Sequence, residues 1–292
     1  MLDCLIATCS EVPQLDPDDR LLLDELRARG LAVEVGVWND ASVDWSAARL
    51  CLIRATWDYP KHYHEFCAWL DDLDSRTTVR NSTELVRWNS DKSYLRELGK
   101  AGVPTVPTAW LRRGESVDLA QLLKSRGWPQ AIVKPARGAA ALDVMRVRAS
   151  DPHGPQRHIE RLLRSQDALV QPYIHEVEAY PERSLVFIEG TFSHAVSKSP
   201  FDTKLVIADS SSWLVEATQA ERAVAAFAVA AVPGEVPLYS RVDLFRTGEG
   251  AVLVNELELI EPALYFGAYP TAAVKVADAI GRSLAAASLA SG

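Results

Sequence analysis

Two segments near the C-terminus constrain this chain most. Residues 238–246 and 251–260 each alternate apolar with polar side chains, and Thr247-Gly248-Glu249-Gly250 lies between them, so the pair reads as a β-hairpin. Alternation puts Arg241 and Asp243 on one face of the first strand, with Val242 and Leu244 on the other. On the second strand Glu256 and Glu258 share a face, and Leu257 and Leu259 the opposite one. A two-residue turn at Glu249-Gly250 would set Asp243 against Glu256 and Arg241 against Glu258, whereas a change of one residue in turn length would alter that pairing. On this register three carboxylates and one guanidinium converge over an apolar floor. Like charges facing each other destabilise a sheet unless something compensates. A hard divalent cation does so, and magnesium favours a few carboxylates together with phosphate oxygens. A solvated polar ribbon, laced by salt bridges from Arg241, is the other reading of the same residues.

A chain of 292 residues exceeds one average domain, so the hairpin is expected in a molecule of two or three lobes. At the N-terminus, a buried strand over Leu2–Thr8, a helix opened by Pro17 and stopped by Gly30, strands at 31–38 and 50–55 and an aromatic-rich helix at 61–73 predict a small α/β domain with a parallel sheet. Residues 81–89 read as a connecting segment. A helix at 91–101 then leads to strands at 108–111, 131–134, 143–147 and 168–173, with helices near 119–125 and 156–165. Further on, Glu189-Gly190 marks a second hairpin, residues 200–212 read as a mobile loop, and helices are expected at 218–232 and 270–287. The boundaries drawn are an N-terminal substrate domain at 1–84, a central lobe at 85–170 and a C-terminal lobe with the hairpin at 171–292.

Composition narrows the partners. With a net charge of -8 there is no sequence-wide basic field, so nucleic acid is not expected and any anionic substrate must be held by local cations. No stretch approaches the ~20 apolar residues of a membrane span and no charged leader precedes an apolar run, which assigns the chain to the cytoplasm with no membrane partner. Cys4, Cys9, Cys51 and Cys67 match neither zinc nor CxxC spacing and read as reduced thiols. The oligomeric state is left open, a homodimer included.

Lys134 ends the apolar run Ala131-Ile132-Val133 and precedes Pro-Ala-Arg-Gly-Ala-Ala-Ala. A lysine at a strand end before small residues, Gly138 among them, can meet phosphate while backbone N–H groups approach it closely. The order Asn-Ser-Asp-Lys at 89–92, Ile-Val-Lys-Pro at 132–135, Val-Gln-Pro-Tyr-Ile at 170–174 and Arg-Val-Asp…Asn-Glu-Leu-Glu resembles the ATP-grasp superfamily. Arg-Ala-Thr-Trp-Asp-Tyr at 54–59, Ser-His-Ala-Val-Ser-Lys at 193–198 and Glu-Leu-Glu-Leu-Ile-Glu-Pro at 256–262 look most like its branch of D-cycloserine-forming cyclo-ligases. The resemblance implies an α/β (α+β) ATP-grasp fold of three lobes. Its cofactors would be ATP and Mg2+. Lys92, Lys134 and Gly138 would meet the phosphates, and Gln171, Pro172, Tyr173 and Ile174 would line the adenine pocket. Glu182, or else Glu178, would hold the ribose. Lys198 and Arg241 would stabilise the transferring phosphoryl group, and Asp243, Glu256 and Glu258 would bind magnesium. The superfamily's third ligand is an asparagine in Glu-x-Asn, where this chain has Glu258, so Asn255 stands as the alternative.

The implied chemistry is attack of a substrate carboxylate on the γ-phosphoryl group, followed by displacement of phosphate by nitrogen. In the cyclo-ligase branch both groups belong to O-ureido-D-serine, a small amino-acid-like substrate. Arg54, Asp58 and Tyr59, beyond a strand end, and Glu261 are the candidate substrate contacts. The same Arg54 equally suits an interdomain salt bridge. His62 and His64, two apart near a helix start, share no face and are not expected to bind metal, and His194 reads as structural rather than as a general base. An intermolecular amino-acid ligase of the D-alanine–D-alanine or RimK type shares the catalytic hairpin. A nucleotide-binding regulatory protein without turnover shares the fold, though it would not need three metal ligands. A dehydrogenase is disfavoured, since no G-x-G-x-x-G follows the first strand.

Overall fold

The first strand, β1 (Leu2–Thr8), is buried along most of its length, and Asp16 caps the helix that follows by accepting from the backbone N–H groups of Asp18 and Asp19. That helix, α1 (Pro17–Ala28), leads through β2 (Val33–Val37), β3 (Ala48–Ala55) and α2 (Tyr63–Asp74) to β4 (Thr78–Arg80). The four strands form a parallel sheet of order β2-β1-β3-β4. The computed structural model describes residues 1–139, 141–151, 153–198 and 212–290. The loop expected at 200–212 lies outside the described residues save for its last position.

Where a connecting segment was expected, α3 (Thr83–Asn89) forms, capped by the Ser82 hydroxyl and burying Leu85 and Val86. After α4 (Tyr94–Lys100), the central lobe comprises β5 (Ala109–Leu111), α5 (Leu119–Arg126), β6 (Gln130–Pro135), β7 (Met145–Arg148), α6 (His153–Ser165) and β8 (Ala168–Pro172). Its strands pair antiparallel in the order β5-β8-β6-β7, with α5 and α6 packed over a shared apolar cluster. The third sheet carries β9 (Arg183–Ile188), β10 (Thr191–Lys198), β11 (Ser212–Val215), β12 (Tyr239–Arg246) and β13 (Val252–Glu258) in the order β11-β10-β9-β12-β13. Between β11 and β12 runs α7 (Gln219–Ala230), started by a reciprocal Thr218–Glu221 capping box. The last helix is α8 (Thr271–Ala290).

The two faces of the third sheet have different neighbours. Leu185, Phe187, Val242, Leu244 and Leu257 pack with Ala225, Ala228 and Val229 of α7. On the opposite face, Val186, Ile188 and Val196 join a second core that also contains Cys4, Ile6, Leu22 and Leu26 of the first domain and Val276 and Ile280 of α8. The C-terminal helix thus sits between the first and third sheets. At the far end of that same face the apolar side chains give way to charge. None of the described helices is long and apolar enough to cross a membrane.

Candidate active site

The register of the charged hairpin is the expected one, reached by a different route. Asp243 pairs with Glu256 and Arg241 with Glu258. The turn, however, contains three residues rather than two: Thr247 N–H donates to the Ala251 carbonyl, and Gly250 takes a φ of +85°. This longer turn leaves Leu244 opposite Val254, one residue out of step. A bulge then restores the pairing, because Asn255 has no partner between the Leu244–Val254 and Asp243–Glu256 pairs. A bulge aims two successive side chains toward one side. Both Asn255 and Glu256 accordingly reach the Lys134 ammonium, at 3.2 and 3.0 Å.

Around this bulge, cations and carboxylates alternate. Arg241 donates through Nε and Nη2 to the two oxygens of Asp243, at 2.9 Å each, and also through Nη2 to Glu258. Lys198 donates to Asp243 at 2.7 Å and lies 3.7 Å from Glu182. The Ser184 hydroxyl, opposite Asp243 on β9, donates to the same carboxylate at 2.5 Å. Asn255 Nδ2 donates to Glu182 at 2.8 Å. On the central lobe, Lys92 lies 3.6 Å from Glu256 and donates to the Gly138 carbonyl at 3.0 Å.

Burial opposes the charge of Asp243 and Glu256, yet their cations prevail. Arg241 and Lys198 hold the Asp243 carboxyl well below the usual range, and Lys92 and Lys134 bring Glu256 down to about 2. Elsewhere burial wins: it raises Glu258 to about 7 despite Arg241, and, with the charge of Glu258, raises Glu261 to about 8. Burial also raises Glu182 and lowers Lys134. The face is therefore charge-dense, desolvated and internally neutralised.

The donor set of the expected magnesium ligands fits a hard cation, since Asp243, Glu256 and Glu258 offer carboxylate oxygens from adjacent strands. They do not form a ready-made cage. Among the described residues no three acidic, histidine or cysteine side chains are gathered closely enough to hold an ion. Each expected ligand is paired with arginine or lysine instead.

The candidate nucleotide contacts divide into two groups. Gln171, buried, donates to Thr108 at 2.9 Å, and Pro172 ends β8 beside Tyr173 and Ile174. Glu178 belongs with this strand end: it accepts from the Tyr173 hydroxyl at 3.0 Å, and the Arg146 guanidinium lies 3.5 Å from the centre of the Tyr173 ring. Glu182, the first choice for the ribose, instead faces Asn255 and Lys198 in the phosphoryl region.

The candidate substrate contacts are mostly committed elsewhere. Arg54 is buried, bonded to Asp19 at 2.9 Å and to the Pro262 carbonyl at 2.7 Å, with its guanidinium over the Tyr239 ring. Its salt bridge lies within the first domain, and its link to the C-terminal lobe is the hydrogen bond to the Pro262 carbonyl. Asp58 accepts from the Trp38 indole at 2.7 Å, and Tyr59 is buried against Phe66. Glu261 alone stays partly exposed, near Glu258. His194 is stacked on Tyr269 and bonded through Nε2 to the Leu264 carbonyl at 3.0 Å, a structural placement.

Sequence reasoning missed the brace behind the hairpin. The Asn81 amide donates to the carbonyls of Tyr239 and Leu259 and accepts from Leu238 N–H, while Asn89 donates to the Leu257 carbonyl and accepts from Leu259 N–H. Asn81 precedes α3 and Asn89 ends it, so the helix is tied at both ends to the backbone of the charged hairpin. Asn89 opens the very Asn-Ser-Asp-Lys stretch read for its lysine, so its type and position were visible but its partner was not.

An antiparallel sheet bearing lysine, arginine and carboxylates, met by Lys134 of the central sheet and by Lys92 from the connection between α3 and α4, is the arrangement of an ATP-grasp ligase. Solved structures share this fold: D-alanine–D-alanine ligase from Bacillus anthracis covers 100% of both chains at a TM-score of 0.69 and 15% identity. The ATP-grasp ligase PsnB, complexed with precursor peptide PsnA2 and AMPPNP, covers 97% of this chain and 99% of its own at a TM-score of 0.65 and 16% identity. The crystal structure of D-cycloserine synthetase DcsG is closer, at a TM-score of 0.89 and 32% identity over 96% of this chain and 99% of that one. Cycloserine biosynthesis protein DcsG of Streptomyces lavendulae is 34% identical over 285 residues, 92% of this chain and 95% of the relative. Residues 4–81 match the family described as the N-terminal domain of D-cycloserine synthetase DcsG. The chain belongs to the DcsG family of ATP-grasp ligases, as the order of its motifs implied, and is an enzyme.

Proposed function

We propose that this enzyme uses ATP to activate the carboxylate of a small amino-acid-like substrate and closes a carbon–nitrogen bond within that molecule, converting O-ureido-D-serine to D-cycloserine. One observation carries the reading: Lys134, Lys198 and Arg241, all poorly accessible, converge on Asp243, Glu256 and Glu258 where two lobes meet. So many desolvated cations suit a ligand of high negative charge, and phosphoryl transfer draws its catalysis from such positioning and neutralisation.

In this reading Lys92 and Lys134 turn from Glu256 to the ATP phosphates, and Lys198 and Arg241 face the oxygens that gain charge during transfer. Magnesium, bound through Glu256, Asp243 and Glu258 or Asn255, supplies further neutralisation of phosphate oxygens. No protein nucleophile is required. The substrate carboxylate takes the γ-phosphoryl group and ADP leaves. The ureido nitrogen attached to oxygen then attacks the acyl carbon, loses its proton and expels phosphate. Water subsequently takes the ureido carbon away as carbon dioxide and ammonia. Glu178, beside the Gln171–Tyr173 strand end, is the better placed acid for the ribose, and Glu261 faces the substrate.

Incubation with ATP, magnesium and O-ureido-D-serine should yield ADP, phosphate and cycloserine. ADP formation only with a pair of amino acids would replace the cyclo-ligase by an intermolecular ligase. Nucleotide binding without turnover on either would favour a regulatory protein.

A further inference from the structure

The loop between β6 and β7 contains Gly138 but no second glycine, and yet two of its other residues lie in the left-handed region, Ala141 at φ 56° and Asp143 at φ 61°. Such a conformation persists in non-glycine residues only where the surroundings over-determine it. Apolar packing does not do so here, because Ala141, Leu142 and Val144 are all exposed. The grip is polar and comes from α6. His158, 92% removed from solvent by its 8% exposure, bonds through Nε2 to the Asp143 carbonyl at 2.9 Å. Arg161 donates to the Asp143 carboxylate at 2.7 Å and to His158 Nδ1 at 3.1 Å. A carbonyl can only accept, so Nε2 donates to Asp143 and Nδ1 is left to accept from Arg161.

The loop then transmits this anchorage. Val144 N–H donates to the Ala141 carbonyl and Leu142 N–H to the Ala139 carbonyl, so two consecutive turns run back toward Gly138. The Gly138 carbonyl accepts from Lys92, itself 3.6 Å from Glu256. We propose that His158 and Arg161 are positioning residues for nucleotide binding, holding through Asp143 the loop that meets the phosphates. They replace the conformational freedom that additional glycines would give with a fixed side-chain brace. The inference rests on the nucleotide-binding reading of this loop.

Calorimetric titration of ADP with magnesium into the wild type and three variants tests it. His158→Ala should weaken ADP about tenfold with kcat changed less than twofold, the pattern of lost binding rather than lost chemistry. Asp143→Gly relieves the backbone conformation but removes the carboxylate, and should weaken ADP likewise, whereas Asp143→Asn keeps an acceptor for Arg161 and should bind like the wild type. ADP binding by His158→Ala and Asp143→Gly as tight as in the wild type would overturn the brace. A fall in thermal stability of His158→Ala with unchanged ADP affinity would overturn it too, leaving His158 a purely structural role. Failure of the wild type itself to bind ADP would instead overturn the nucleotide reading.

Discussion

Asn255 and Lys134 meet across two lobes: the ammonium donates to the carboxamide oxygen at 3.2 Å, while the amide nitrogen of the same side chain donates to Glu182 at 2.8 Å. One bulged residue therefore orients a cation of the central sheet and an acid just before β9. Its removal takes one hydrogen bond from each of two desolvated charged groups, leaving Lys134 with Glu256 and Glu182 with Lys198, a loss of about 1–3 kcal/mol. Asn255→Ala should lower kcat/KM for ATP by roughly ten- to a hundredfold. Initial rates of ADP release measure this, and a change below twofold would assign the contact no role.

Asp243 neutralises both Arg241 and Lys198. Asp243→Asn leaves those cations buried beside a neutral amide. Breaking a buried pair from one side costs about 3 kcal/mol or more. Lower stability in urea and loss of turnover are both expected. Full activity of the variant at saturating magnesium would remove Asp243 from the metal site.

The acids of the site also set a dependence on pH. Glu258 and Glu261 keep their protons to about 7 and about 8, above the ordinary 4.5. Between those limits the folded chain binds protons the unfolded chain has lost, so their contribution is full below pH 4.5 and disappears as pH rises through 7 to 8. Glu256, lowered to about 2, contributes in the opposite sense, being stabilising above 4.5 and lost toward 2. His194, which burial lowers from 6.5 to about 4, adds stability as pH rises through that interval. Above 6.5 the raised acids dominate this set, Asp19 at about 7 included. Thermal unfolding of the ligand-free enzyme should thus show falling stability from pH 6.5 to 8, and Glu261→Gln should flatten that slope. An equal slope in the variant would contradict the assignment.

Arg54 offers a clean separation of roles. As the buried partner of Asp19 and the Pro262 carbonyl, its replacement by alanine should cost about 3 kcal/mol of stability. KM for the amino-acid substrate should stay within about twofold when assayed below the unfolding transition. A large rise in KM with unchanged stability would restore Arg54 as a substrate receptor.

Periodicity made much of this molecule legible before any coordinates. The strands around Asp243 and Glu256, the face they share and the hairpin at Glu189-Gly190 all follow from alternation and turn chemistry, and positive φ at both turn residues accords with the latter. The route to the register did not follow, because a three-residue turn and a bulge cancel, and neither has a signature in a run such as Val-Leu-Val-Asn-Glu-Leu-Glu. Helix α3 escaped for another reason: seven residues give too little periodicity to outweigh a segment that reads as a linker. Arg54 shows the hardest limit. A guanidinium beyond a strand end suits a substrate or a buried aspartate equally well, and only the approach of Asp19 and Pro262 in three dimensions decides between them.

The position of α8 bears on how the protein comes to exist at all. Val276 and Ile280 complete the core that Leu22 and Leu26 begin, although the two pairs lie far apart in the chain. Contacts so distant in sequence are slow to form and leave apolar surface uncovered while the chain emerges. The parallel sheet thus carries a family's sequence signature over residues 4–81 while sharing its core with α8. Loss of α8 would remove Val276 and Ile280 from a core that also holds Cys4, Ile6, Leu22 and Leu26 on one side and Val186 and Val196 on the other, and so should loosen the first and third sheets together.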